Sequence, residues 1–247
     1  MSAVQAHNSA AQPAVVFLHG FQGSPHQFDF LNSTVREAGY IAYPLVLPGH
    51  GGEYRVFLEN GRAEWLAFAE ESLRSICARH TRVLLVGHSM GGLLHILATL
   101  QHPGTVCGLF CLALPLHLQV SFKGMRNNIK YATGLGRQDA FIKAAREFCG
   151  VTGVTLWNAP LMARQLLGLV RLSADARRAL NQLNVPLIAL HSQNDEWVSK
   201  RSVITARDAK VQEVIVLPES GHFLYPESDR AIVCEAFSRF ASACFSR

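Results

Sequence analysis

The sequence predicts an α/β protein: an open, mostly parallel sheet with helices on both faces and a helical cap inserted into it. Three observations carry this. Strand-like and helix-like segments alternate along both ends of the chain, the pattern of a parallel sheet covered on both sides. The strand candidates are unbroken apolar runs without polar alternation, as expected where both faces of a strand are buried. The alternation breaks once, over Leu116–Leu180, a stretch of about 65 residues and too long for an ordinary connection.

Each element follows from local chemistry. The β-branched run Val15–Leu18, bounded by Pro13 and Gly20, predicts a buried strand, and Gln27–Ala38 a helix closed by Gly39. Ile41–Val46 predicts a second strand ending at Pro48-Gly49. Glu64–Arg79 places Trp65, Ala69, Leu73 and Ile76 on one helical stripe. Arg82–Val86, Ser89–Gln101 and Val106–Leu112 predict strand, helix and strand. Within Leu116–Leu180 no clear strand is expected. The pattern resumes with strand Pro186–Leu190, helix Val198–Ala209, strand Val214–Leu217 and helix Glu227–Ala243. The expected division is a core of 1–115 plus 181–247, with 116–180 as the cap.

Composition narrows the class. Hydrophobic residues make up 49% of 247, enough to exclude a disordered chain. No apolar run reaches the ~18–20 residues of a membrane span. Met1–Pro13 lacks the features of an export signal, so a cytoplasmic location is expected. The net charge of +5 is concentrated: the interruption holds ten basic residues against Asp139, Glu147 and Asp175. These charges read first as solvated helix faces; a surface weakly drawing anions or an anionic membrane is the alternative, and nucleic acid is not expected. The six cysteines form no C-x-x-C pair, and there is no His-Glu-x-x-His. Neither metal nor cofactor is expected.

The chemical signal is Gly87-His88-Ser89-Met90-Gly91, directly after an apolar strand and opening a helix. A nucleophile on so sharp a turn has its hydroxyl held away from the sheet, and the flanking glycines let strand and helix approach. Ser89 then sits at a helix N-terminus, where free N–H groups favour developing negative charge, with the Met90 N–H aimed at an oxyanion. A phosphate loop is disfavoured, since the turn lacks the lysine. A serine hydroxyl needs a base and the base an orienting acid.

The chain resembles the α/β-hydrolase superfamily, and within it the small capped carboxylesterases and monoacylglycerol-lipase-like serine hydrolases. The resemblance spans about Ala14 to Ala243 outside the cap. It rests on Leu18-His19-Gly20-Phe21, Pro48-Gly49-His50-Gly51, the Ser89 pentapeptide, Asn194-Asp195-Glu196-Trp197-Val198 and Ser220-Gly221-His222. It implies a six- or seven-stranded sheet, with Ser89 as nucleophile, His222 as base and Asp195 as acid, in the chain order of this fold. Glu196 is the competing acid. The resemblance also implies the Phe21 N–H as second oxyanion donor beside Met90. By their positions His19, His50, His88 and His95 read as structural.

The expected activity is ester hydrolysis through an acyl-enzyme on a small ester of short or medium acyl chain, with monoacylglycerols among the candidates. Carbon–carbon bond hydrolysis, lactone or thioester hydrolysis, cofactor-free haloperoxidation and a non-catalytic receptor on the same scaffold are the alternatives. Ala159–Leu172 has apolar residues at near-helical spacing and is expected to pack on the sheet domain. Trp157, Leu161 and Met162 are candidates to line an acyl pocket over Ser89.

Overall fold

The computed structural model describes residues 12–102, 104–135, 138–155, 157–209 and 211–246. Most of the amino-terminal segment read for an export signal, and Arg137 of the basic interruption, lie outside them. In chain order the elements are β1 (Ala14–Leu18), α1 (Asp29–Glu37), β2 (Ile41–Leu45), β3 (Gly52–Glu53), α2 (Tyr54–Glu59), α3 (Arg62–Cys77), β4 (Val83–His88), α4 (Met90–Thr99) and β5 (Val106–Leu112). There follow α5 (Phe122–Thr133), α6 (Ala140–Phe148), β6 (Val151–Thr152), α7 (Ala163–Ala179), β7 (Leu187–Ser192), α8 (Arg201–Asp208), β8 (Glu213–Leu217) and α9 (Glu227–Phe245).

Six strands form the main sheet in the order β2-β1-β4-β5-β7-β8, and every neighbouring pair is parallel. Pro44 lies in β2, at the edge, where its missing N–H leaves no central ladder bond unmade. Alternate strand residues enter different layers. Val16, Leu18 and Leu85 pack with Trp65, Leu73, Leu93 and Leu94 of α3 and α4. Val15, Phe17, Leu84 and Phe110 pack with Leu31 and Val35 of α1 and with Phe237 and Phe240 of α9. Burial on both faces is why these strands read as unbroken apolar runs. The strand order reverses between β1 and β4, and ligands in open parallel sheets bind beyond the carboxyl ends of the strands at such a point.

The interruption is helical in part. Ser121 caps α5 by accepting the Gly124 N–H at 2.9 Å, and the helix ends on Gly134 at φ +73°. Asp139 caps α6 by accepting the Phe141 N–H at 3.0 Å. One feature differs from expectation. The stretch contains a short strand, β6, paired in parallel with β3. Its last helix, α7, buries Leu169, Leu172 and Ala176 in the same cluster as β1, β4 and α4, and Ser173 Oγ donates to the Pro115 carbonyl at 2.7 Å. This matches the packing expected of Ala159–Leu172 and puts α7 in the core layer, inside the residue range expected for the cap.

Candidate active site

Ser89 stands at the carboxyl end of β4 as the first residue before α4. Its backbone, φ +51° and ψ −119°, is a conformation that non-glycine residues avoid, held here because the Ser89 N–H donates to the Leu112 carbonyl at 2.8 Å. The turn is as tight as its glycines predict. A Cβ on Gly87 would lie 2.5 Å from the Gly92 Cα, and one on Gly91 would overlap the Leu18 carbonyl oxygen. Met90 is the first residue of α4, so its N–H has no partner within the helix.

The loop after β1 faces this turn. A Cβ on Gly20 would lie 3.1 Å from the Ser89 Cβ. The Gly20 N–H donates to Gln27 Oε1 at 3.1 Å, and the Phe21 ring packs edge-on against Phe57 at 5.2 Å and Trp65 at 6.0 Å. His19 and His50 act as struts, as expected. Each accepts a backbone N–H at Nε2, from Leu47 at 3.1 Å and Gln22 at 3.2 Å, which puts the ring proton on Nδ1, facing the Gly20 and Pro48 carbonyls. Burial pushes their pKa values down, to about 4 and about 3. Both rings are therefore neutral donors to the loop.

The structure brings Asp195 and His222 together, from the ends of β7 and β8. His222 Nδ1 lies 2.9 Å from Asp195 Oδ2 and 3.1 Å from Oδ1. Asp195 Oδ1 also accepts the N–H groups of Trp197 and Val198, both at 2.8 Å. Burial alone would raise the Asp195 pKa. The opposed His222, its hydrogen bond and the two N–H donors outweigh burial and hold the carboxyl below the usual carboxylate range. Glu196, the competing acid, turns away from the imidazole. It accepts the His222 backbone N–H at Oε2, 3.0 Å away.

Three roles carry no signature that the sequence reading recognised. His88 Nε2 donates to the His222 carbonyl at 3.0 Å, so the loop after β8 is tied to the residue preceding Ser89. Burial is the main cause that lowers the His88 pKa to about 3, leaving the ring neutral. Asp229, in the first turn of α9, accepts the N–H groups of Glu219 and Ser220 and the Ser220 hydroxyl, at 3.0, 2.7 and 2.6 Å. Together with Glu196 it fixes the backbone that carries His222. A carboxylate three residues into a helix, opposite a Ser-Gly-His turn, is the sequence signal for that clamp.

The expected pocket residues divide. Met162 is buried, with its sulfur 2.9 Å from Gln22 Nε2 and so beside the Phe21 loop. Trp157 is 93% exposed and Leu161 60% exposed. The expectation that these two line an apolar pocket is corrected: both side chains face solvent. Ser89 and His222 are themselves 4% and 5% exposed. Among the described residues no cluster of three or more His, Cys, Asp or Glu side chains converges as metal ligands would. No described helix is long and apolar enough to cross a membrane.

Comparison with known proteins is consistent with this layout. The sequence model of the Alpha/beta hydrolase family matches residues 15–236. A thermostable monoacylglycerol lipase from Bacillus sp. (strain H-257) is 24% identical over 229 residues, covering 92% of this chain and 89% of that protein. The 2-succinyl-6-hydroxy-2,4-cyclohexadiene-1-carboxylate synthase of Escherichia coli O1:K1 / APEC is 31% identical over 102 residues, 41% of this chain and 38% of that one. Among solved structures, one from work on the metagenome-derived lipolytic enzymes LipS and LipT superposes with a TM-score of 0.70 at 23% identity, over 93% of this chain and 94% of the other.

Proposed function

Starting from a chain that belongs to the Alpha/beta hydrolase family, we propose a serine carboxylic-ester hydrolase that works through an acyl-enzyme on short- to medium-chain esters, with monoacylglycerols as the first candidates. The observation that carries the reading is the pairing of a strained Ser89 turn with the buried His222–Asp195 couple, the two tied together through His88. The name of the Bacillus relative supports the ester class.

In this reading Ser89 Oγ attacks the ester carbonyl carbon while its proton passes to His222 Nε2. The Phe21 and Met90 N–H groups hold the oxyanion. Collapse of the tetrahedral adduct breaks the bond to the alcohol oxygen, which takes the proton from His222. Water then attacks the acyl-enzyme, giving its proton to the same nitrogen, and Ser89 recovers it as the acid departs. Asp195 holds the imidazole with its proton on Nδ1 and stabilises the imidazolium.

Ser89→Ala tests this directly. Hydrolysis of p-nitrophenyl butyrate is expected to fall by at least about 10⁴-fold. Turnover that survives the substitution removes the mechanism. The partial match to a synthase of cyclohexadiene carboxylate favours one competing reading, a non-hydrolytic reaction on the same scaffold. A panel of ester, thioester, lactone and diketone substrates tests it: ester hydrolysis supports the proposed function, and hydrolysis of none of the four favours the competing reading.

A further inference from the structure

We infer that Glu196 is a positioning residue for His222 and that Lys123, on the inserted helix α5, completes it, so that the insertion latches the base in place. This rests on the reading of Ser89, His222 and Asp195 as hydrolytic machinery. Glu196 directly follows the acid, yet its side chain serves the base from behind. One carboxylate oxygen accepts the His222 N–H at 3.0 Å, and the other lies 3.1 Å from Lys123 Nζ. The Glu196 side chain is 1% exposed and that of Lys123 is 50% exposed. A buried carboxylate is costly unless paired, and here the pairing charge comes from outside the sheet domain. Gly221 leaves room for it: a Cβ there would lie 3.2 and 3.3 Å from the two carboxylate oxygens.

The segment leading into α5 is fastened to the acid loop along its length. The Gln119 N–H donates to the Trp197 carbonyl at 2.9 Å, and the Ser199 N–H to the His117 carbonyl at 2.8 Å. Gln119 Nε2 donates to the Asp195 carbonyl at 3.1 Å. Ser121 Oγ, the cap of α5, donates to the Glu196 carbonyl at 2.8 Å, and Lys123 Nζ to that of Asn194 at 3.3 Å. The insertion is also tied to the loop after β1, where the Gly150 N–H donates to the Gln22 carbonyl at 2.7 Å. Of these contacts, the Lys123–Glu196 pair is the one whose loss leaves a buried charge one hydrogen bond from the base. Withdrawing α5 removes the counter-charge and, among the described residues, leaves the His222 N–H as the hold on the carboxylate. Closure of the insertion and placement of the imidazole are therefore one event.

The test compares wild type, Lys123→Met, Lys123→Arg, Glu196→Gln and the Lys123→Met/Glu196→Gln double variant by amide hydrogen exchange and by the rate of labelling with a fluorophosphonate. Lys123→Met is expected to speed exchange at residues 220–224 and to slow labelling, each by about tenfold. Lys123→Arg restores both, and the double variant is no worse than Glu196→Gln alone. With any ester that wild type turns over, kcat falls and KM holds. Wild-type exchange at 220–224 in Lys123→Met, faster exchange confined to α5, or no rescue by arginine overturns the latch. A wild-type Ser89 that fails to react with the fluorophosphonate overturns the hydrolase reading instead, and the exchange pattern still decides the latch.

Discussion

At the scale of single residues, the site divides into groups whose chemistry shows in the sequence and groups whose chemistry does not. Ser89, Asp195 and His222 stood out in the sequence because a serine on a Gly-x-Ser-x-Gly turn constrains its own neighbours, and the residues proposed as its partners follow in the chain order that the resemblance implies. The roles of Glu196, His88 and Asp229 did not stand out, because each residue bonds a backbone atom of the His222 loop, and such a role leaves at most a weak signal, such as the acidic residue in the first turn of the helix after the Ser-Gly-His turn. Asp195 and Glu196 have nearly the same local sequence. What separates them is that Asp195 Oδ1 is drawn back by the N–H groups of Trp197 and Val198, which aims its carboxylate at the imidazole. Asp195→Asn keeps that acceptor for the backbone and removes the charge that holds the Nδ1 proton. Turnover of p-nitrophenyl butyrate is expected to drop by about 10⁴-fold, with the fold unchanged by circular dichroism. A loss below about tenfold would assign the orienting role to another group.

The strands of the main sheet were legible in the sequence, the fully buried ones and the half-buried β2 and β8 alike. β1, β4, β5 and β7 are covered on both faces, and their apolar runs predicted them within a residue or two. α2 and the short β3–β6 pair bury little, so their sequences carry weak patterns. α5 and α6 had readable ends, in Ser121 with Gly134 and in Asp139, but each is short and buries only two or three residues. The junction of β4 with α4 makes the strongest demand on sequence, because the helix start rests on the end of β1. Gly91→Ala forces a methyl group into the Leu18 carbonyl, whereas nothing lies within 4 Å of a Cβ on Gly52. Gly91→Ala is expected to cost at least about 3 kcal/mol, a fall in Tm of about 6–12 °C or loss of soluble protein. Gly52→Ala is the control and should shift Tm by no more than about 2 °C, the range of an unobstructed surface change. Equal melting of the two variants would mean that the turn is looser than the packing requires.

Across the whole molecule, the sheet concentrates neutral histidines where water is excluded. Burial lowers His19 and His191 to about 4, and His50, His88 and His95 to about 3. In the unfolded chain each titrates near ~6.5. Between those values the unfolded state binds more protons than the native one, so stability rises with pH across that window and is lost as pH falls from ~6.5 toward 4. The lowered Asp195 carboxyl acts in the same direction, but only below its unfolded value near ~3.9. Each histidine contributes up to about 1.4 kcal/mol per pH unit, so five together can remove about 7 kcal/mol in one unit, comparable to the whole stability of a typical domain. Acid unfolding is therefore expected at about pH 5, well above the carboxylate range. His95 isolates the effect, because it is buried within α4 and its Nδ1 has no hydrogen-bond partner among the described residues. In urea titrations between pH 7.5 and 5, His95→Leu is expected to leave the slope of stability against pH unchanged at the upper end and to reduce it, by an amount approaching about 1.4 kcal/mol per unit, one proton's worth, only below ~6.5. A wild-type urea midpoint that stays constant over that range would show that these rings reach water or a partner before the chain unfolds.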